Sequence, residues 1–198
     1  WYRYPSGFDY FSGRDGIRLE KSMSGGEITV VNDYDNSIRY TDYILSELTE
    51  GLRSAGGYSW LLYFSDHGEE VYDLESEMRF GRNPSRISKY MLDVPVILWM
   101  SDEYRKKGEA GAFKEYADRP YELDGMIHTV IDLAGIDTPL LDRTKSLVSE
   151  FYRMPARVLF NPRKMTYLSV MPEDLANPRT SEEERRRSEA AASNSPRN

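Results

Sequence analysis

The 198 residues carry 26 Lys plus Arg against 33 Asp plus Glu, a formal net charge of −7, with no Cys and two His. The missing Cys excludes a disulfide framework and a thiolate metal site. The acidic balance argues against nucleic acid and anionic membrane surfaces as general partners.

With two His, any metal site draws mainly on carboxylates or borrows ligands from elsewhere. The length suits one domain or a piece of a larger one. Mean hydropathy is −0.65, on the polar side for a globular chain. The 15 Tyr, 7 Phe and 3 Trp can supply much of a core. No apolar run approaches the ~18–20 residues that span a bilayer, and no secretory signal pattern is present. The sequence opens on Trp1-Tyr2-Arg3-Tyr4-Pro5, which reads as the start of a piece cut from a longer chain. Absence of Cys decides neither cytosol nor periplasm.

Residues 1–32 read as loops with one short strand at Ile28–Val31. Asn32-Asp33-Tyr34-Asp35-Asn36 is a cluster of N-cap residue types, with Asp35 and Asn36 read as caps. Ile38, Thr41, Ile44, Leu45, Leu48 and Leu52 then recur at helical spacing. They predict an amphipathic helix from Asn36 to Ser54, ended by Gly56-Gly57.

The run Tyr58–Phe64 is continuously apolar, the pattern of a parallel-sheet strand buried on both faces. It leads directly into Ser65-Asp66-His67-Gly68. Glu69 to Arg86 reads as an irregular charged segment, and Ser85–Leu92 as a short helix. Val94–Met100 is a second strand, with Pro95 near its start where it is tolerated. Ser101–Arg119 is polar with helical segments. Leu123, Met126, Ile127, Val130, Ile131 and Ala134 predict a helix from Glu122 to Ala134, closed by Gly135. Residues 136–172 read as loop with short strands at Arg157–Phe160 and Thr166–Val170. Residues 173–198 have little to bury and read as a disordered tail.

This is an α/β rhythm with a mostly parallel sheet flanked by helices. Ligands of such folds sit beyond the carboxyl ends of the strands, where the best strand here carries Asp66-His67-Gly68. Neighbouring residues of an extended chain point to opposite faces, so both reach one metal only if the backbone turns. Gly68 permits a turn through positive φ. A carboxylate oxygen and an imidazole nitrogen suit Zn²⁺ or Mn²⁺. A closed site needs about four ligands, and Asp66 and His67 supply two. No other stretch supplies a convincing pair. A lone Asp-His pair without a metal stays open as the alternative. His128 lies on the apolar face of its helix and reads as a packing histidine.

Tyr63-Phe64-Ser65-Asp66-His67-Gly68-Glu69-Glu70-Val71-Tyr72 resembles the metal-binding signature of the phosphoethanolamine transferases. These form part of the sulfatase branch of the alkaline phosphatase superfamily. Four other stretches are similar to family segments in the same order. They are Tyr2-Arg3-Tyr4-Pro5, Asn32–Asp42, Asp93–Trp99 and Asp124–Ile136. The resemblance covers most of residues 1–152 and implies that 1–172 form the C-terminal portion of a sulfatase-like catalytic domain.

What the resemblance implies is a zinc enzyme in the inner membrane of a Gram-negative bacterium, its catalytic domain in the periplasm. A Thr nucleophile takes phosphoethanolamine from phosphatidylethanolamine and passes it to lipopolysaccharide core, lipid A or a periplasmic glycan. Asp66 and His67 match the Asp and His metal ligands. The Glu ligand and the Thr nucleophile lie upstream in the family, in the remainder of the parent chain, so no catalytic nucleophile is expected here and this piece alone is expected to be inactive.

One departure bears on the substrate site. The family usually carries a further His shortly after Asp-His-Gly; here Arg79-Phe80-Gly81-Arg82-Asn83 stands in that region. Arg82 could bind a phosphate oxygen or be a solvated loop residue. Arg3 reads as a loop brace or a phosphate contact. Glu69 and Glu70 read as partners of the His67 imidazole or as solvated charges. A sulfatase or phosphodiesterase of the same superfamily, and a non-catalytic binding protein that keeps the fold, stay open beside the transferase.

Overall fold

A computed structural model describes residues 4–14, 23–73, 80–83, 87–106, 110–154, 158–161 and 166–169. Arg3 and the expected tail 173–198 lie outside the described residues.

Helix α1, Gly25–Ala55, is the longest element. The Ser24 hydroxyl accepts from the Glu27 backbone N–H at 3.3 Å, while the Glu27 carboxylate accepts from the Ser24 N–H at 2.6 Å. This reciprocal capping box satisfies two otherwise orphaned donors. Gly56, at φ +69°, ends the helix, its N–H donating to the carbonyls of Leu52 and Arg53. The Gly56 stop is as expected, but the start is not. Ile28–Val31 is helical and not a strand, and the Asn32–Asn36 cluster is helix interior and not a cap. A short β-branched run carries too little periodicity to separate strand from helix, and the Ser24-x-x-Glu27 box overrides it.

Asn32 and Asn36 are buried instead of capping, at 7% and 2% exposure. Asn36 Oδ1 accepts from the backbone N–H of Tyr10 and Phe11 at 3.0 and 2.9 Å, and its amide donates to Phe11 O. Asn32 donates to Gly13 O at 2.9 Å. The hydroxyl of Tyr4 donates to Asp33 at 3.1 Å. Residues 4–13 are thereby stitched along α1.

Strand β1, Trp60–Phe64, leads into a two-residue ribbon, β2 at Glu70–Val71 and β3 at Phe80–Gly81. The short helix α2, Lys89–Leu92, precedes β4, Val96–Met100. β1 and β4 pair antiparallel, Trp60 opposite Met100 and Phe64 opposite Val96. The parallel pairing expected of these two apolar strands is therefore not what forms; every described ladder is antiparallel. Among the described residues between them lie the ribbon and one turn of helix, with no crossover helix that would return the chain in parallel. Both strands are half-buried, with Met100 at the end of β4 buried.

Beyond β4 come α3, Asp102–Lys106, and α4, Ala110–Glu115. A 3₁₀ turn at Leu123–Gly125 feeds α5, Met126–Leu133, which Gly135 terminates at φ +63°. β5, Val158–Asn161, and β6, Thr166–Ser169, form a hairpin at the two places expected. The described apolar core is small and rich in Met, with Met23, Met91, Met100 and Met126 beside Ile28, Val71 and Leu133.

Candidate metal centre

The chain leaves β1 at Ser65 and bends at Asp66 and His67. Ser65 Oγ donates to the His67 carbonyl at 2.7 Å, closing a tight turn that swings the two side chains to one side. His67 Nε2 lies 3.5 Å from Asp66 Oδ2. The Asp66 side chain is 84% exposed and that of His67 38%. The two residues singled out from the sequence are thus brought together, at the carboxyl end of β1 as expected.

The tautomer follows from the neighbour. His67 Nδ1 sits 3.1 Å from the Gly68 carbonyl. A carbonyl only accepts, so Nδ1 carries a proton, and in the neutral imidazole Nε2 is the nitrogen with the lone pair for a metal. Nε2 is also the nitrogen that faces Asp66.

Gly68 acts differently from the expectation. It does not take positive φ. Its N–H donates to Met91 O at 3.0 Å, and a Cβ there would lie 2.1 Å from the Tyr90 carbonyl oxygen. The need for glycine is room for the α2 backbone. That packing fixes where the Asp66–His67 turn sits relative to α2.

Neither Glu69 nor Glu70 is placed on the imidazole by the contacts described. Glu69 pairs with Arg82 at 3.7 Å. Glu70 is 1% exposed and accepts from the Ser88 hydroxyl at 3.0 Å. Arg82 stands just after β3, half-exposed, its charge answered by Glu69.

α1 contributes the other wall. Burial first, then the nearby Asp73, holds the Asp35 carboxyl above the usual carboxylate range. Tyr34 is raised by burial and then by Asp73, Glu69 and Asp35. Sequence reasoning missed this approach of α1 to the ribbon because it took Asp35 for a cap. The Glu70–Ser88 pair has no local sequence signal at all, since its partners lie 18 positions apart in the chain.

His128 is a packing histidine with one polar tie. It is half-buried on α5, and its Nδ1 accepts from the Asp142 N–H at 3.2 Å.

Among the described residues no three His, Asp or Glu side chains gather in a way that could hold a metal ion. The donor set that is present, one carboxylate and one imidazole with a free Nε2, fits zinc and provides two of its four positions.

The Sulfatase family profile matches residues 2–136. The chain belongs to the Sulfatase family. It is 34% identical over 167 residues to the phosphoethanolamine transferase EptC of Escherichia coli (strain K12), covering 84% of this chain and 29% of that protein. The crystal structure of the C-terminal periplasmic domain of E. coli EptC superposes with a TM-score of 0.76 at 32% identity. The match covers 86% of this chain and 49% of that one. A second crystal structure of that domain, in complex with Zn, gives the same TM-score and identity. The chain thus spans under a third of its curated relative and about half of the solved domain. The sulfatase-like α/β fold read from the sequence is the fold it has.

Proposed function

We propose that this chain is the C-terminal part of a zinc-dependent phosphoethanolamine transferase, in which Asp66 and His67 hold zinc. The observation that carries this is the turn at the end of β1. His67 Nε2, its lone pair free, faces the Asp66 carboxylate at 3.5 Å in a chain similar to a domain crystallised with Zn. Zinc bound there supplies Lewis-acid stabilisation of charge on phosphoryl oxygens. The remaining ligands and the Thr nucleophile belong to preceding residues of the parent protein. In this reading phosphoethanolamine passes from phosphatidylethanolamine to that Thr, then to lipid A, lipopolysaccharide core or a periplasmic glycan. The parent is anchored in the inner membrane of a Gram-negative bacterium with this domain in the periplasm. Arg82, just after β3 and paired with Glu69, binds a phosphate oxygen when it releases Glu69.

The missing His between His67 and His128, with Arg82 occupied by Glu69, favours a second reading in which the fold binds without catalysing. Metal analysis and turnover separate the two. In the product read through from the coding sequence upstream of Trp1, we expect near-stoichiometric zinc, not displaced by manganese on dialysis. Asp66→Ala and His67→Ala each lose it. A labelled phosphatidylethanolamine is turned over by that longer product and not by the 198-residue chain. Turnover by the 198 residues alone overturns the shared-site reading, and an upstream Cys-x-Pro-x-Arg stretch in place of the Thr favours a sulfatase. A longer product without zinc leaves the non-catalytic reading.

A further inference from the structure

Two neighbouring side chains of α5 each catch one backbone N–H of the segment that wraps the helix. Thr129 Oγ1 accepts from the Leu147 N–H at 3.0 Å. His128 Nδ1 accepts from the Asp142 N–H at 3.2 Å. The two catches differ in one property. The Thr129 hydroxyl is fully buried and keeps its lone pairs at any ordinary pH. The imidazole is half-buried and accepts at Nδ1 only while that nitrogen is unprotonated. In the neutral ring its proton is therefore on Nε2.

The His128 catch stands alone on its stretch. On one side the Ile136 N–H donates to Ile131 O at 3.1 Å. On the other, Arg143 donates to Asp132 at 3.1 Å. Among the described residues, 137–142 make no other hydrogen bond to α5 between these anchors. The Leu141 N–H donates to Thr138 O and the Leu140 N–H to the Thr138 hydroxyl, both within the segment.

Charges stand around the ring on both elements. Asp124, in the 3₁₀ turn, and Asp132, on α5, lie one turn to either side. Asp132 is answered by Arg143 and by the Ser146 hydroxyl at 2.7 Å. From the wrap come Asp142 and Lys145. The Asp142 carboxylate accepts from the N–H and hydroxyl of Thr144 at 3.0 and 2.7 Å. That hydroxyl and N–H hold the carboxyl below its usual range, with Lys145 and His128 adding less. Asp142 thus offers the ring a donor in its N–H and an ionised acceptor in its side chain.

We propose that residues 137–142 form a pH-sensitive latch on α5, closed while His128 is neutral. Protonation takes one proton from water onto Nδ1. The Asp142 N–H then loses its acceptor, and the new Nδ1–H turns to the Asp142 carboxylate. Residue 142 is drawn round and 137–141 come free of the helix. The proton returns to water as the pH rises, and the latch closes. The wrap beyond it stays in place, because the Thr129 catch does not titrate.

Hydrogen exchange of the product read through upstream of Trp1 tests this, followed at single amides from pH 8 to 5 and corrected for the intrinsic pH dependence of exchange. Protection of the Asp142 amide should fall about three- to tenfold, the worth of one hydrogen bond. Protection of the Leu147 amide should stay constant. In His128→Asn the side-chain oxygen takes the place of Nδ1 and accepts at every pH, so protection stays and its pH dependence goes. In Asp142→Asn the opening should move to lower pH, since the imidazolium loses its charged acceptor. Protection at Asp142 that is flat from pH 8 to 5 overturns the latch. The same fall in His128→Asn also overturns it, by assigning the effect to a carboxylate. Equal losses at Asp142 and Leu147 do so too, as a general loosening of the wrap. An unmoved opening in Asp142→Asn overturns the exchange of partners. None of these readouts involves zinc or turnover, so they stand apart from the transferase reading.

Discussion

The turn at the end of β1 and the wrap around α5 use polar side chains in opposite ways. Around α5 they are buried and spent on one another. Thr129 is fully buried, its hydroxyl 2.8 Å from the Tyr121 hydroxyl and accepting from the Leu147 N–H at 3.0 Å. Ser146, also fully buried, donates to Asp132 at 2.7 Å, while Arg143 donates to the other Asp132 oxygen. Arg119 donates to the carbonyls of Leu147 and Ser149. At the turn, Asp66 and His67 stand in solvent with bonding capacity left over. Satisfied buried networks rigidify a scaffold; capacity for a ligand sits where the network stops. Desolvation also pushes the Tyr121 hydroxyl up to about 12, so it stays a neutral member of its network at any ordinary pH.

If the turn is fixed by backbone packing and the wrap by side-chain bonds, they break differently. The largest effect expected is Gly68→Ala. Its Cβ would stand 2.1 Å from the Tyr90 carbonyl oxygen, so α2 or the turn must move. We expect a loss of about 3 kcal/mol or more in denaturant unfolding, and weaker zinc binding in the longer product. Gly125→Ala is the matched control in the other region. Its Cβ would lie 3.0 Å from the Lys145 carbonyl oxygen, a contact that small shifts relieve. It should cost clearly less, and equal losses would erase the distinction.

Next in size is Thr129→Val, which keeps the shape and removes the hydroxyl. The Leu147 N–H loses its acceptor in a buried place, at a cost of about 1–3 kcal/mol. Exchange at that amide should rise while zinc content of the longer product stays unchanged. Zinc lost together with stability would show that the wrap and the turn are one cooperative unit.

How much of this was legible varied with the kind of signal. Asp66 and His67 could be found because adjacent residues at the end of an apolar run mark a place in the fold. Gly56 and Gly135 end helices through positive φ, a property of glycine itself, and both were readable. Gly68 was noticed for that same property, yet its function is to admit the Tyr90 carbonyl, a contact between segments far apart in sequence. Asn36 looks like a cap to any local reading. It serves as an interior clamp because α1 starts at the Ser24 box and passes under the 4–13 loop. The sense of the β1–β4 pairing is decided by what connects the strands, and a continuous apolar run is silent on that. Thr129 and Ser146 carry no signature, since a hydroxyl becomes structural only through the partners the fold provides.

The smallest expected effect is a pH dependence at the edge of the Asp66–His67 turn. Burial, and then Asp73, raise the Asp35 carboxyl above its ordinary range of about 3.9. The folded state therefore holds this proton more tightly than the unfolded chain. Its contribution to stability is fully present below the ordinary value and is lost as pH rises through the raised one. At neutral pH the charged Asp35 works against folding. Asp35→Asn should raise the melting temperature near neutrality, and the gain should shrink as the pH falls into the carboxylate range. Asp73→Asn removes only the secondary cause and should recover a smaller part of the gain. Thermal melts across that pH range decide the matter. A gain that stays constant with pH would mean that the Asn side chain packs or hydrogen-bonds better. The wall that α1 presents to the turn would then not be under electrostatic strain.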